Sequence, residues 1–148
     1  MFEQPCVYPA ELEAQADGSF LVRFPDVPEA LTDGGDYAEA LAQAVDCLSE
    51  ALAGRINRDE DLPTPSPLRR GARAVAPEPT MALKAALYGA LRARNLTVSD
   101  LARLLDVDYR QAARLVDPRC ASKLTSLEAA LAALGYQIAI AVSEKPAA

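Results

Sequence analysis

The stretch "INRDEDLPTPSPLRRGARAVAPEPT", residues 56–80, carries five prolines in 25 positions: Pro63, Pro65, Pro67, Pro77 and Pro79. Each proline fixes φ and removes a backbone donor, so no helix can run through this segment. A chain of 148 residues interrupted in this way divides into two short pieces, 1–61 and 80–148, joined by a Pro-rich linker over 62–79. Inside the linker, "ARAVA" (72–76) can form one short strand that adds to a neighbouring sheet. Arg69, Arg70 and Arg73 read as a solvated group, with nucleic-acid contact as the alternative.

The two pieces differ in charge. Residues 1–61 hold 14 acidic and three basic residues, a net of −11, whereas 81–148 hold nine basic and six acidic residues, a net of +3. Arg69, Arg70 and Arg73 against Glu78 give the segment between them +2, and the whole chain −6. The overall acidity is therefore the sum of two unlike parts, which suggests two tasks. About half the residues are apolar, enough to bury a core, yet no apolar run approaches the roughly 18 residues of a membrane span. The start, "MFEQPCVYPAELEAQADG", lacks a basic segment followed by an apolar run, so no secretory leader is expected. Cys6, Cys47 and Cys120 are odd in number and far apart, and the chain has no histidine and no CxxC pair. They read as packed, reduced thiols of a cytoplasmic protein, with no metal and no cofactor.

In the acidic piece, Cys6, Tyr8, Ala10, Leu12 and Ala14 alternate with Val7, Pro9, Glu11 and Glu13, the period of a strand with one buried face. Pro9 favours an edge or a strand end. "ADGS" (16–19) supplies a turn, and Phe20, Val22 and Phe24 resume the alternation as the second arm of a hairpin. A short third strand is expected around Ala30–Thr32, stopping at the glycine pair 34–35. Asp36 with Glu39 has the spacing of a capping box, and Leu41, Val45, Leu48 and Leu52 recur at helical spacing up to a stop at Gly54. The result is a small sheet with one helix packed on it, in an α+β chain. Glu11, Glu13, Asp17, Asp26, Asp33 and Asp36 are numerous enough to suggest a metal-dependent nuclease. However, Glu11 and Glu13 fall on the solvated strand face, the others sit in turns and caps, and no HxH, HExxH or DxD motif accompanies them. No enzymatic activity is expected. The acids suit either a negative surface that docks a basic partner or a solvated face.

The C-terminal piece reads as all-helical. Thr80 caps a helix with Leu83, Leu87 and Leu91 on one stripe, ending near Arg94–Asn95. Thr97, with Asp100 three residues on, caps a second short helix whose Val98, Leu101, Ala102 and Leu105 face inward. Asp106 and Val107 form a tight turn, and Asp108 caps a third helix over Tyr109–Val116 with Ala112 and Leu115 inward. A small residue, a tight turn, an apolar anchor, a cap and an outward polar face make the helix-turn-helix pattern. Tyr109, Arg110, Gln111, Ala113 and Arg114 are left outside to face bases. Gln111 is suited to adenine and Arg110 or Arg114 to guanine. Thr97, Ser99, Ser122 and Lys123 are the candidates for phosphate contacts. Ser126 begins a further helix, with Leu127, Leu131 and Leu134 inward, that ends at Gly135. The final "YQIAIAV" alternates as a strand. It must pair with the other piece's sheet or, as favoured here, with its counterpart in a second chain through Tyr136, Ile138, Ile140 and Val142. DNA-reading helices commonly work as dimers on half-sites roughly 34 Å apart.

From about residue 7 to 142 the chain resembles the HicB antitoxin family. The resemblance is carried by "FPDVPEALTDG" with the following "AEAL" helix, by "LPTPSPL", and by "ASKLTSLEAALAALGYQIAIAV". It points to the branch whose C-terminal unit is a repressor-type (Xre/Cro-like) helix-turn-helix. This resemblance implies an N-terminal partial RNase H-like layer over 1–61 that binds and blocks a HicA-type toxin, a small basic ribonuclease that cleaves mRNA. It further implies that 80–148 dimerises, with two dimers joining as the larger alternative, and represses its own operon by binding operator DNA. The family's catalytic histidine lies in the toxin, in keeping with a chain that has none. Val98 stands where relatives often carry a phosphate-binding Gln, and Asp106 where they commonly carry Gly. These departures imply a weaker operator complex or phosphate contacts carried elsewhere. The toxin-facing residues within 1–61 are unknown at this stage. A stand-alone repressor with a ligand-sensing or oligomerising N-terminal domain is the alternative reading.

Overall fold

The hairpin turn anticipated at 16–19 is present in the computed structural model, which describes residues 6–145. Gly18 takes φ +89°, Gln15 N–H donates to Ser19 C=O, and the Asp17 carboxylate accepts from the Ser19 amide. The turn joins β1 (Tyr8–Ala14) to β2 (Phe20–Arg23), and β3 (Leu31–Gly34) follows, one residue later than expected. The linker contributes β4 (Arg73–Val75), giving an antiparallel sheet in the order β3-β2-β1-β4. The added strand is thus the one foreseen in "ARAVA". Of the two positions expected of Pro9, edge or strand end, the second holds, since β1 lies inside the sheet but Pro9 is its second residue. Pro9 pairs with Ala74 of β4 and lies beyond the β2 register, which covers Glu11–Ala14. The outer ends of the two expected pieces, residues 1–5 and 146–148, lie outside the described residues, as does the start of the segment read for a leader.

Helix α1 (Tyr37–Asn57) covers one face of the sheet. Its start is tightly specified: a Cβ on Gly34 would lie 2.3 Å from the Ala40 nitrogen, so only glycine lets β3 pass this close. The Asp36 carboxylate accepts from Glu39 N–H at 2.8 Å, while the Glu39 carboxylate accepts from Gly35 N–H. The reciprocal bond therefore reaches one residue further back than a capping box requires. The buried stripe is Ala40, Ala44, Leu48, Leu52 and Ile56, with Leu41 and Val45 half-buried beside it. The expected stop at Gly54 is incorrect. Ile56 is buried, and Arg55 donates twice to Glu29, at 2.6 and 2.9 Å. Such contacts hold the last turn against the roughly 1 kcal/mol that an internal glycine costs. The chain turns instead at Asp59, in the left-handed region at φ 56°.

No helix crosses the proline segment, but the linker is tied down on both sides. Tyr8 OH donates to Pro63 C=O, Ser66 donates its N–H and Oγ to the Asp26 carboxylate, and Tyr88 OH donates to Glu60 C=O. Arg92 pairs with Asp61 at 2.8 Å. Arg69 and Arg70 are exposed, whereas Arg73 is half-buried, donating to Tyr37 OH and stacking over its ring. The solvated-group reading of the three arginines is corrected for Arg73. The thiol of buried Cys6 is pushed up to about 11 by desolvation, so it stays protonated at neutral pH. All three cysteines are free.

Helix α2 (Pro79–Ala93) is capped at Glu78, two residues before the cap expected at Thr80. Pro79 is well placed in the first turn, where its missing donor is no loss, and Glu78 N–H donates to Ser49 Oγ of α1. Two eight-residue helices follow, α3 (Val98–Leu105) and α4 (Tyr109–Val116), then α5 (Leu124–Ala133). The last begins two residues ahead of the expected Ser126, and Gly135 ends it at φ +86°. Buried Leu87, Leu91, Leu101, Leu127, Leu131 and Leu134 form the centre of the helical part.

The strand expected at "YQIAIAV" is absent: residues 136–142 form no strand and do not join the β3-β2-β1-β4 sheet. Period-two alternation specifies a strand only when the segment pairs with a partner edge, and here it pairs with neither β3 nor β4.

Candidate nucleic-acid and partner interfaces

The helical part is organised around two carboxylates that sit at helix starts. Thr97 and Asp100 form a reciprocal capping box at α3, and Asp108 and Gln111 form another at α4. Between them Asp106 adopts the left-handed conformation, φ 53° and ψ 48°, which Asp tolerates better than most side chains. Leu101, Ala102, Ala112 and Val116 are buried between the helices, with Val98, Leu105, Val107 and Leu115 half-buried around them. Ala113 C=O accepts from Asp117 N–H at the far end of α4.

This packing leaves one face of α4 outward. Tyr109 is 59% exposed, Arg110, Gln111 and Arg114 are exposed, and Ala113 is half-buried. Tyr109, Arg110, Ala113 and Arg114 line a shallow concavity of about 350 Å³ together with Asp117 and Cys120. Gln111 stands outside it, and its Oε1 accepts from Asp108 N–H at 3.3 Å, so this side chain has a capping role as well as an outward position. Asp108, which could have opposed phosphate, accepts from Gln111 N–H at 2.8 Å. The Asp117 carboxylate accepts from the guanidinium and amide of Arg119, which hold it below the usual carboxylate range.

The four candidate phosphate contacts fall into two pairs. Ser99 and Lys123 are exposed at the first turns of α3 and α5. Thr97 and Ser122 are already engaged: the Thr97 hydroxyl bonds Asp100, and the Ser122 hydroxyl accepts from Lys84 Nζ at 2.9 Å. Lys84 is the residue that sequence reasoning missed. It lies on α2 at 1% exposure, among Met81, Ala85 and Leu87, also buried. A lysine at helical spacing within an apolar stripe was the available signal, because lysine is almost never fully buried without partners.

The second surface belongs to the sheet. By register, Pro9, Glu11, Glu13, Leu21, Arg23, Leu31, Asp33 and Ala74 lie on the face opposite α1. Glu11, Glu13, Arg23 and Asp33 are exposed there, and Leu31 is 58% exposed. Of the six acids considered for a nuclease, Asp17, Asp26 and Asp36 are occupied by a turn, a linker bond and a helix cap. Among the described residues, no group of three or more cysteine or carboxylate side chains is placed to hold a metal ion.

A third region is the tail. Tyr136 stacks against Arg94, whose guanidinium lies 5.3 Å from the ring centroid, and Ile138 is half-buried. Ile140 and Val142 are 75% and 93% exposed. Among the described residues no helix is long and apolar enough to cross a membrane.

Among the described residues, fold and surfaces together define an α+β protein with a small four-stranded sheet, five helices and two outer faces of unlike charge. Comparison with known proteins is specific. Residues 7–86 match the family described as HicB-like antitoxin of bacterial toxin–antitoxin systems. Antitoxin HicB 1 of Photorhabdus laumondii is 32% identical over 135 residues, covering 91% of this chain and 86% of that relative. Antitoxin HicB of Escherichia coli K12 is 32% identical over 133 residues, covering 90% and 96% respectively. Antitoxin HicB 2 of Photorhabdus laumondii is 34% identical over 131 residues, covering 88% and 92%. The chain belongs to the HicB-like antitoxin family: by homology it is an antitoxin of a toxin–antitoxin system, with a toxin as its partner. The relatives are named as antitoxins, not as enzymes.

Proposed function

We propose that this antitoxin has two binding activities carried by its two parts. The sheet-and-helix part, a partial RNase H-like layer, holds a HicA-type mRNA-cleaving toxin and blocks it. The α3–turn–α4 unit acts as a helix-turn-helix that binds operator DNA and represses the antitoxin's own operon in the cytoplasm. The observation that carries this reading is the partition of exposed charge. Glu11, Glu13 and Asp33 lie on the uncovered sheet face, while Arg110, Arg114 and Lys123 are exposed in the helical part. A basic protein fits the first surface and a phosphate backbone the second.

Arg110, Gln111 and Arg114 read base edges with Tyr109 and Ala113 beside them, and Ser99 and Lys123 set the register on phosphates. The exposed tail supports a homodimer in which Tyr136, Ile138, Ile140 and Val142 pair with the same segment of a second chain, two such dimers forming a tetramer as the larger alternative. Pairing there satisfies the backbone and covers Ile140 and Val142. The test is co-expression with the neighbouring gene product, followed by RNA cleavage and duplex binding. A basic ribonuclease that co-purifies and is inhibited supports neutralisation. Failure of the full chain to inhibit it refutes that half. Selection of a preferred duplex from a random pool supports repression, and no selection refutes the other half.

A further inference from the structure

The buried ammonium of Lys84 is bonded to the end of α4. Its Nζ donates to Arg114 C=O at 2.8 Å, to Asp117 C=O at 2.9 Å and to Ser122 Oγ at 2.9 Å. Ser122 Oγ in turn donates to Arg114 C=O at 3.3 Å. All three ammonium protons are thereby used, and every acceptor lies on the last turn of α4 or the loop after it. A helix leaves its final carbonyls without internal partners, and these carry the negative end of its dipole. Here a cation from another helix satisfies them. The same three bonds fix the start of the loop that leads to Lys123. Among the described residues no carboxylate is in ion-pair range of Lys84, since the neighbouring Asp117 carboxylate is engaged by Arg119.

A buried lysine has a large desolvation cost, and an apolar side chain of similar length would suit the stripe on α2 better if packing were its only task. The geometry does something packing cannot: it ties α4 to α2 at one defined angle and depth. Val116, the last residue of α4, is buried among the helices, and the Lys84 bonds add direction to that packing by holding Arg114 and Asp117 C=O. We propose that Lys84 is a positioning residue for DNA reading, holding the outward face of α4 in the register at which its base contacts form. This rests on the reading of α4 as the helix that enters the groove. Lys84 itself touches no nucleic acid, because it is covered by the loop.

Its test uses the full chain and the duplex that the wild-type protein selects from a random pool. Lys84→Met is expected to reduce the preference for that duplex over random sequence at least tenfold. The salt dependence of binding stays the same, because no phosphate contact is removed, and inhibition of the co-purifying ribonuclease is unchanged. Amide exchange over 114–122 is expected to accelerate, with the sheet unaffected. Ser122→Ala, which keeps the lysine and removes one of its acceptors, should move preference and exchange in the same direction by about threefold. Unchanged preference in a folded Lys84→Met protein overturns the proposal. So does a salt slope reduced by about one, which would make Lys84 a direct phosphate ligand. If Lys84→Met unfolds the helical part, Ser122→Ala decides: a loss of preference supports the proposal and wild-type behaviour overturns it. If the wild-type chain selects no duplex, the groove-reading role of α4 fails and this proposal fails with it, an outcome distinct from selection that survives the substitution.

Discussion

Carboxylates serve different ends in the two halves of the molecule. In the helical part three acids near the outward face of α4 are engaged, Asp100 and Asp108 in capping boxes and Asp117 with Arg119, while Asp106 in the turn is exposed. On the open face of the sheet, among the described residues, Glu11, Glu13 and Asp33 make no side-chain hydrogen bond, and Arg23 is the single base beside them. Net charge therefore says little about which surface meets which partner. What matters is how many charges local structure has already used. An acidic chain can present a basic face when its acids there are occupied as caps, because a carboxylate accepting backbone N–H groups is partly neutralised where it stands.

The sharpest way to break this comparison is to reverse the sheet face. Glu11→Lys with Glu13→Lys and Asp33→Lys should weaken inhibition of the co-purifying ribonuclease by about 100-fold or more, since like charges facing a basic partner cost several kcal/mol. Duplex binding by the same variant should hold or rise. Inhibition assays and duplex titrations on one preparation read both.

Next in size is the core beneath the α4 face. Leu101 is fully buried, and Leu101→Ala should destabilise the helical part by about 2–5 kcal/mol in denaturant unfolding. Gln111→Ala should remove about 1–3 kcal/mol of discrimination between preferred and random duplexes. By contrast, Lys123→Ala should weaken binding to all duplexes alike and lower its salt slope by about one. Equal behaviour of these two variants would show that base and phosphate roles have been assigned wrongly. Asp108→Ala removes the cap of α4 and should cost about 1 kcal/mol of stability.

The smallest effect is a pH dependence, to which the helical part contributes two carboxyls. Asp100 is held below the ordinary carboxylate value by bonds from the Thr97 amide and hydroxyl, and Asp117 by those from Arg119. Both carboxyls titrate lower in the folded chain than in the unfolded one. They therefore stabilise the fold above an unfolded value near 4 and lose that contribution as pH falls through their depressed values. Amide exchange at the start of α3 and at the end of α4 should accelerate as pH falls below about 4.

Local rules written in adjacent residues were legible in the sequence. The turn at 16–19, the cap at Asp36, the capping box at Thr97, the left-handed Asp106 and the span of α4 all follow from side chains bonding backbone a few positions away. The errors arise where distant contacts decide. Gly54 does not end α1, because Ile56 and Arg55 find partners in the tertiary structure. Glu78 rather than Thr80 caps α2, where its amide donates to Ser49 Oγ of α1. Residues 136–142 show the reverse case: a strand-like pattern that joins neither edge of the sheet. Lys84 was overlooked for the same reason, its three acceptors lying 30 to 38 residues away.

The central claim is that two partners occupy two separate faces, and amide-exchange footprinting of the full chain tests it most directly. The wild-type protein is measured alone, with the co-purifying ribonuclease, and with its selected duplex. The account predicts that the ribonuclease slows exchange across β1–β3, residues 8–34, while the duplex slows it across 97–123. Protection of 97–123 by the ribonuclease, or of the sheet by the duplex, would contradict it.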